Sequence, residues 1–339
     1  MDPISQGALG AIAASAVAPS SRVRVATLVG WAAGMLADAD IFIKSESDPL
    51  LNIEYHRHFT HSLIFIPVGA AIAAAFFWLV GRYWKPSFKE LYRYSLCGYA
   101  TAGLLDACTS YGTRLLWPFS DIRVAWNIIS IIDPVFTGTI VLLIIIGCLR
   151  KRASFSRWAW AFALCYLAFG IAQNHRAYES IQSLIVERGH VSATRLTVKP
   201  SIGNLLLWRG IYEYEGQFYM DAARLSLFGG KATFYEGQLS SKTDLQSLKD
   251  SLPEGSVLSR DLDRFDHFSD GYLSWHPTEE NVIGDARYAL LPQSNQPLWG
   301  IEIDISRPNE PAQFVNFRSA SERDRSILWT MLRGKPLEE

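Results

Sequence analysis

The sequence has 339 residues, of which 49% are hydrophobic and 19% charged, and its formal net charge at pH 7 is −1. A chain without an excess of basic residues lacks the electrostatic footprint of a nucleic-acid-binding protein, so no direct nucleic-acid binding is expected. The hydrophobic residues crowd the first half, and no long apolar run follows His190. Two regions of different kinds are therefore expected.

The first half contains several apolar segments of helical length. A hydrocarbon core of about 30 Å is crossed by about 20 helical residues, and Ser62–Val80 meets that requirement plainly. The other segments are shorter or carry Gly and polar residues, as in helices that pack closely together. They are Ile4–Ala18, Val23–Phe42, Leu91–Ala107, Ile131–Leu149 and Trp158–Gln173. Residues 1–175 are thus predicted to form an α-helical transmembrane bundle of about six helices, with a soluble helical bundle as the less favoured alternative.

Basic residues in short loops predict which way these helices face, because such residues stay in the cytoplasm. The linker 81–93 carries Arg82, Lys85, Lys89 and Arg93, and the linker 150–157 carries Arg150, Lys151, Arg152 and Arg157. Arg22 and Arg24 open the second helix on the same side. The stretches 42–61 and 106–133, and all residues after Gln173, are then expected outside the cytoplasm. The prediction is a multi-pass protein of the bacterial inner membrane with a periplasmic C-terminal region.

The C-terminal region is predicted to be mainly β, of the α+β type. Residues 176–190 are expected to continue the last helix as an amphipathic neck, and residues 191–339 to form a soluble domain. The segment Leu205–Leu227 alternates around a turn at Glu215–Gln217, as in a hairpin. Further strands are predicted at Lys231–Tyr235, Arg264–Phe268, Ala286–Leu291 and Trp299–Ile305, and a helix at Ser319–Leu332.

Acidic and histidine residues gather at the predicted outer ends of the helices. They come from LADADIF, from the motif HRHFTHS and from LLDACTSYGT. Because the orientation was assigned from Lys and Arg alone, their convergence is independent evidence for a site. Carboxylates and imidazoles together are ligands for zinc and other divalent cations. The predicted metal ligands are Asp38, Asp40, His56, His61 and Asp106.

Such a cation would activate water and polarise a phosphoryl or acyl oxygen, which favours hydrolysis. Zinc is the first expectation and manganese the second. Asp38, His61 and Asp106 are the predicted catalytic residues. The predicted contacts to an anionic substrate are Arg57, His58 and Arg114. The expected substrate is a phosphoester or related bond in a membrane lipid or lipid-linked molecule.

Each of these residues also has an ordinary structural explanation. The histidines of HRHFTHS can cap the next helix, Asp38 and Asp40 can be solvated helix ends, and Asp106 can cap the following turn. Asp133, directly before Pro134, has the pattern of a helix N-cap. The alternative function is a non-enzymatic, membrane-anchored binding or assembly protein whose β domain engages a protein partner. A transporter is less favoured because its coupling residues would lie near the middle of the bilayer.

Five segments, in order, resemble the YdjM-like family of inner-membrane metal-dependent hydrolases. They are MDPISQGALGA, LADADIF, SDPLLNIEYHRHFTHSLIF, LLDACTSYGTRLLWPFSD and IIDPVF. The resemblance covers about residues 1–150, and GDARYALLP at Gly284–Pro292 is similar to a motif of longer members. It implies a helical membrane protein with a hydrolase activity distantly similar to zinc-dependent phospholipase C. The resemblance also implies an association with the LexA repressor, which would require that part of the protein surface faces the cytoplasm.

The resemblance assigns family positions to residues of this chain. The two histidines of the family's HRGxTHS motif fall on His56 and His61. Its paired aspartates fall on Asp38 and Asp40, and its LLD aspartate falls on Asp106. Three positions depart from the pattern. His58 stands where the family has Gly, and Gln6 and Ala102 stand where it often has His. A metal site is then weakened, rebuilt with His58, or lost.

Overall fold

The computed structural model describes residues 1–81 and 86–337. Arg82 and Lys85, which contributed to the predicted orientation, lie outside the described residues. The chain divides into two compact units. The first comprises Met1–Ile43, Tyr55–Ala172 and Ile202–Asn204, and the second comprises Lys44–Glu54, Gln173–Ser201 and Leu205–Glu339. A short loop of the apolar half thus belongs to the same unit as the C-terminal residues.

The first unit is built from helices. Its long helices are α1 (Pro3–Ala16), α2 (Val23–Leu36), α4 (Ile66–Val80), α5 (Phe88–Cys108), α6 (Pro134–Arg150) and α7 (Ser154–Glu187), the last of which continues into the second unit. Short 3₁₀ segments of this unit cover Ser20–Arg22, Ala37–Phe42, Phe59–His61 and Leu63–Phe65, whereas the short helix α3 (Leu51–Tyr55) lies in the second unit except for its last residue. The carboxylate of Asp133 accepts from the N–H groups of Val135 and Phe136, which confirms the predicted N-cap of α6.

Three helical segments of the described chain are long and apolar enough to cross a membrane. They are Ser20–Phe42, Leu63–Val80 and Ser154–Glu187, and α6 is apolar but shorter. Large apolar side chains such as Leu79, Leu149 and Trp158 are 65, 71 and 69% exposed, which suits a surface that faces lipid rather than water. The first half is therefore a helical membrane region, and the number of crossings stays a prediction.

Glycines allow three helices of the first unit to pack with their backbones in contact. A Cβ atom on Gly10 of α1 or on Gly98 of α5 would lie 2.4 or 2.5 Å from the carbonyl oxygen of Gly30 in α2. Only glycine fits at such distances, and small residues are the usual means of close helix packing in membranes. This packing holds α1, α2 and α5 together and fixes the positions of their ends.

The second unit contains two antiparallel sheets. The first has β1 (Thr194–Pro200), β2 (Leu207–Tyr214), β3 (Gln217–Arg224) and β4 (Thr233–Tyr235) in that order, with β5 (Leu239–Ser241) also paired to β3. The second has β6 (Leu273–Trp275), β7 (Val282–Asp285), β8 (Trp299–Glu302) and β9 (Gln313–Asn316). The helices α8 (Leu245–Asp250), α9 (Val257–Ser269) and α10 (Glu322–Leu332) complete the unit. The predicted α+β character is confirmed.

The end of α7 is not a free neck between two regions. Ile181 is fully buried, and its side chain occupies the space beside Gly210 of β2, where a Cβ atom would lie 2.7 Å away. Gln173 donates hydrogen bonds to the carbonyl oxygens of Leu205 and Ser226. The helix continues to Glu187 within the stretch 176–190 predicted as a neck, and its apolar face packs on the first sheet.

Two predicted strands are wrong. Residues 264–268 lie inside α9, which begins at the N-cap Ser256 and buries Leu258, Leu262 and Phe265 at helical spacing. This 3.6-residue period defines a helix that faces the core. Residues 286–291 form turns after β7, because the strand occupies the preceding four residues. By contrast, the hairpin around residue 215 is confirmed by β2 and β3, which join at Glu215 and Gly216.

Candidate metal centre

Three segments far apart in sequence bring the predicted catalytic residues to one place. Asp38 lies in the 3₁₀ turn that follows α2, His61 ends the turn Phe59–His61, and Asp106 lies in the last turn of α5. Asp38 lies near the end of the candidate span Ser20–Phe42, and His61 lies just before the candidate span Leu63–Val80. The site is therefore formed where helices end rather than in their middle.

The ligand atoms of Asp38, His61 and Asp106 lie within 4.8 Å of one another. Nε2 of His61 is 3.1 Å from Oδ1 of Asp38 and 3.1 Å from Oδ2 of Asp106. The side chains of His61 and Asp106 are fully buried, while that of Asp38 keeps 13% of its surface exposed. Two carboxylates and one imidazole form a donor set of the kind that holds zinc.

A second possible set of ligands shares Asp38 with the first. It consists of Asp38, Asp40 and His56, whose ligand atoms also lie within 4.8 Å of one another. Each of the five predicted metal ligands thus belongs to at least one of the two sets.

Asp40 is surrounded by hydrogen-bond donors. Its Oδ1 lies 2.8 Å from Nδ1 of His56, and its Oδ2 accepts from the backbone N–H of Arg57 at 2.9 Å and from the hydroxyl of Thr60 at 2.7 Å. Oδ2 also lies 3.2 Å from Nδ1 of His61. With four donors on two oxygens, this buried carboxylate holds the loop of HRHFTHS in place and orients both rings.

The surroundings of His61 favour a positive charge. Burial by itself lowers the pKa of an imidazole, because the charged ring loses its hydration. Here hydrogen bonds to Asp106, Asp38 and Asp40 outweigh burial and raise the pKa of His61 to about 10. The three carboxylates thus stabilise a positive charge between them, and a metal ion can supply that charge.

Arg57 acts within the site and not at its surface. The residue is 4% exposed, its Nε lies 3.0 Å from Oδ2 of Asp106, and its Nη1 donates to the hydroxyl of Thr109 at 2.8 Å. The ring of Tyr111 lies below the guanidinium, 4.9 Å away. The amino group of Met1 also contacts Asp106. Arg57 therefore fixes Asp106, and the predicted substrate contact by this residue remains without support from its position.

The other two predicted substrate contacts form a pair beside the site. Nη1 of Arg114 lies 2.8 Å from Nε2 of His58 and donates to Oδ1 of Asp121 at 3.0 Å. Nδ1 of His58 accepts from the backbone N–H of Phe59, so the ring caps the turn that carries His61. The side chain of Arg114 is 13% exposed. Arg114 thus lies next to the HRHFTHS segment, and the two ring nitrogens of His58 have different roles.

A glycine allows the His61 turn to approach α5. A Cβ atom on Gly103 would lie 2.2 Å from the carbonyl oxygen of His61. Gly103 precedes Asp106 by three residues and therefore lies on the same side of the helix. The absence of a side chain at this position is what lets His61 reach Asp106.

Gln6 adds an unused oxygen at the edge of the site. Its side-chain amide donates to Oδ1 of Asp38 at 3.3 Å, and the residue is fully buried. Its Oε1 atom has no hydrogen-bond partner among residues 1–81 and 86–337. A buried amide oxygen without a donor is costly unless something else satisfies it. Together with the carboxylate and imidazole donors, this oxygen indicates that the residues fit a bound cation.

Several contributors were not assigned a role from the sequence. Thr60 donates to Asp40, Tyr99 donates to the carbonyl oxygen of Thr60 at 2.8 Å, and Thr109 accepts from Arg57. Thr60 directly precedes His61 in the chain, and Thr109 follows Asp106 by three residues, which was the available signal. Nothing in the spacing of Tyr99 links it to the HRHFTHS turn, because that contact depends on how α5 packs.

The comparison with known families covers the helical region and all these residues. Residues 1–177 match the model of the family described as YdjM inner membrane protein. The chain belongs to this family. The resemblance drawn from the five sequence segments is thereby confirmed, and most of the second unit lies beyond the part that matches the YdjM family model.

One curated relative was found, and it bears no functional name. It is the uncharacterized protein YfhP of Bacillus subtilis, 32% identical over 126 residues. The aligned region covers 37% of this chain and 37% of the length of that relative. No solved structure matches this YdjM family member. The comparisons therefore show a family and a membrane location.

Proposed function

We propose that this protein is a divalent-metal-dependent hydrolase that acts at the membrane surface. The observation that carries the proposal is the meeting of Asp38, His61 and Asp106 from three separate segments, with Nε2 of His61 3.1 Å from a carboxylate oxygen of each aspartate. Burying three ionisable groups together costs free energy because they lose their hydration. We propose that a shared cation offsets this cost, with zinc as the first candidate and manganese as the second.

The ligands proposed are Asp38, Asp106 and Nε2 of His61. Asp40 then acts through His61, since its Oδ2 lies beside the other ring nitrogen. A carboxylate that accepts from the remote N–H of a metal-bound histidine fixes the tautomer and orientation of the ring. His56 and Asp40 remain candidates for a second cation that shares Asp38.

When bound, the cation supplies Lewis-acid activation of water and of the substrate oxygen. His56 is the group best placed to accept a proton. Its Nδ1 donates to Asp40, its side chain is 23% exposed, and its Nε2 makes no hydrogen bond to another of the described residues. A histidine held by a carboxylate and open on its other side is a common general base. Arg114, which is partly exposed, is the proposed contact for the anionic group.

The proposed substrate is a phosphoester or related bond in a lipid or lipid-linked molecule. The site borders two candidate membrane spans, and the segment after Arg114 exposes large apolar side chains. Phe119 is 85% exposed and Ile122 is 66% exposed. An apolar rim beside a cationic group suits a molecule with a lipid tail and an anionic head.

The site is proposed to face the periplasm, together with the C-terminal unit. The basic residues Arg150, Lys151 and Arg152 lie at the C-terminal end of α6, whereas the site lies at the ends of α2 and α5 and before α4. Helix α7 begins next to these basic residues and is a candidate span, so the residues after Gln173 are proposed to lie outside the cytoplasm.

The test uses full-length protein purified in detergent. We expect stoichiometric zinc or manganese by elemental analysis and metal-dependent hydrolysis in a panel of phospholipids and isoprenoid phosphates. His61→Ala should lose both the metal and the activity. His175→Ala, whose side chain is 72% exposed on α7, is the matched control and should keep both. Equal metal content in wild type and His61→Ala, or no hydrolysis with any metal, would refute the proposal.

A cavity in the second unit favours a second candidate, a membrane-anchored binding protein. Its volume is about 500 Å³, and its lining includes Arg195, Lys242 and Asp266. A protein partner with a charged peptide segment would suit this cavity. Under this alternative, His61→Ala leaves the cellular phenotype unchanged while deletion of residues 191–339 abolishes it, and the hydrolase proposal gives the opposite result for His61→Ala.

A further inference from the structure

An exposed apolar loop lies between β3 and β4 in the second unit. We refer to residues 226–231 as the Phe228 loop. Phe228 is 89% exposed and Leu227 is 53% exposed, and Lys231 follows them at the surface. Gly229 and Gly230 both have positive φ angles, so the chain turns sharply and holds the two apolar side chains at the tip. Single exposed apolar residues are common on soluble surfaces, so the position of this pair in the fold decides what it can do.

The loop is fixed to one particular part of α7. The guanidinium of Arg176 donates to the carbonyl oxygens of Ser226 and Gly229, each at 3.0 Å, and Gln173 donates to the carbonyl oxygen of Ser226 at 3.3 Å. The hydroxyl of Ser226 closes the loop by bonding to the carbonyl oxygen of Gly229. The position of the loop along α7 is therefore defined by Gln173 and Arg176.

That part of α7 is where the helix leaves the membrane. No Asp, Glu, Lys or Arg lies between Arg157 and Arg176, and α7 is a candidate span. At 1.5 Å per residue those 19 steps cover roughly 28 Å, which is close to the thickness of a hydrocarbon core of about 30 Å. With α7 across the bilayer, Arg176 and the loop that it binds come to the lipid–water boundary.

The direction of β3 agrees with this placement. Farther along α7, Arg188 donates to the carboxylate of Asp221 through both terminal nitrogens. From Arg176 to Arg188 the helix rises by about 18 Å, and from Ser226 back to Asp221 the strand covers about 16 Å. The strand therefore runs antiparallel to the helix, toward the membrane as the helix leaves it.

We propose that the Phe228 loop inserts Leu227 and Phe228 into the interfacial layer of the membrane that α7 spans, as an anchor for the second unit. Aromatic and aliphatic side chains gain free energy in this layer, while a neighbouring lysine contacts anionic headgroups. The anchor would fix the second unit relative to the bilayer in addition to the tether that α7 provides. This inference is independent of the proposed hydrolase activity.

The experiment places a nitroxide spin label on the full-length protein in liposomes of phosphatidylethanolamine and phosphatidylglycerol. The native cysteines Cys97, Cys108, Cys148 and Cys165 are first replaced by serine. Phe228→Cys is compared with Ser241→Cys, an exposed position whose strand partner is Gln217 at the far end of β3. At position 228 we expect collisions with oxygen to exceed those with a water-soluble nickel chelate, and at position 241 the reverse. Equal access of the chelate to both positions would overturn the proposal.

A second measurement keeps the native cysteines in case their replacement prevents folding. A photoreactive benzoylphenylalanine is introduced at position 228 or at position 241, and the reconstituted protein is irradiated. We expect a mass increase by one lipid molecule for the label at position 228 and none for the label at position 241. The absence of a lipid adduct at position 228 would contradict the insertion of the loop.

Discussion

Nδ1 of His61 lies 3.2 Å from Oδ2 of Asp40, on the side of the ring opposite the other two aspartates. Nε2 of the same ring faces Asp38 and Asp106. One imidazole therefore has two different carboxylate environments, one for each nitrogen. The arrangement separates residues that can share a cation from a residue that orients the ring.

Asp40→Asn should weaken metal binding without abolishing it. The amide of asparagine cannot accept as strongly from the His61 ring, and loss of such an orienting carboxylate typically lowers metal affinity about 10- to 100-fold. Asp38→Asn and Asp106→Asn should instead remove the metal, because they alter proposed ligands. Competition with a chelator of known affinity measures the three variants side by side. Asp121→Asn, whose side chain is 75% exposed, is the control.

Arg57→Ala should destabilise the protein far more than Arg114→Ala. Arg57 is buried against Asp106, and removal of one partner of a buried ion pair costs about 3–5 kcal/mol because the other charge stays buried. Arg114 pairs with an exposed aspartate, a contact that is worth about 1 kcal/mol or less. Thermal unfolding in detergent compares the two variants. Equal losses of stability would mean that Arg57 does not fix Asp106 as described.

The sequence predicted the members of the site better than their roles. Charge type and loop orientation were enough to select Asp38, His61 and Asp106, because residues at the ends of successive helices meet on one side of a bundle. The burial of Arg57 could not be read from the motif, since an arginine between two histidines resembles a substrate contact. Its role depends on how closely the turn Phe59–His61 approaches α5, which is a property of packing.

Gly103→Ala should disturb the site more than the bundle. The new methyl group would lie 2.2 Å from the carbonyl oxygen of His61, so the turn must move away from α5 and from Asp106. Overpacking of this kind costs about 1–3 kcal/mol, and the shift separates the proposed ligands. Gly138→Ala in α6 is the matched control, because nothing lies within 4 Å of its added methyl group. Metal content and thermal stability are measured for both; unchanged metal binding in Gly103→Ala would contradict the described contact.

The fold of the second unit was predicted where local pattern is sufficient. The hairpin of β2 and β3 has alternating side chains around a tight turn, and each strand consists of the 8 residues next to that turn. The region around Arg264 was wrong because Phe265 and Phe268 favour strands when read alone, whereas the helical period extends back to Leu258. Strands such as β6 and β9 have three or four residues, and their pairing across long loops leaves no local signal.

Arg264→Ala should loosen the loop 44–54. The guanidinium donates to Asp48 at 2.9 and 3.0 Å and to Glu54 at 2.7 Å, and thereby holds this loop on α9. Loss of these partly exposed pairs costs about 1 kcal/mol, which corresponds to about fivefold faster local opening. Hydrogen exchange of peptides from residues 44–54 measures the effect. Arg307→Ala, which removes only exposed pairs, should leave exchange in this loop unchanged.

The stability of the second unit should fall in mild acid through His276. Burial lowers the pKa of this imidazole below its ordinary value of about 6.5, and Glu279 opposes the shift only in part. Nδ1 of the ring accepts from the backbone N–H of Glu279 at 3.0 Å, which requires an unprotonated nitrogen, and the ring packs on Phe317. Below pH 6.5 His276 therefore binds a proton more readily in the unfolded chain than in the folded chain. Its contribution to the free energy of unfolding is complete above this pH and decreases as the pH falls further.

The matched variant for this effect is His276→Asn, whose side-chain oxygen can accept from the same backbone N–H but does not titrate. We expect wild type to unfold at a higher temperature than the variant at pH 7.5, because the asparagine lacks the ring contact with Phe317. That difference should shrink at pH 5.5, since only the wild type has to exclude a proton from the folded state. The exposed His267→Asn is the control for removal of a histidine from the same unit. A difference that stays constant between the two pH values would mean that His276 does not resist protonation in the folded protein.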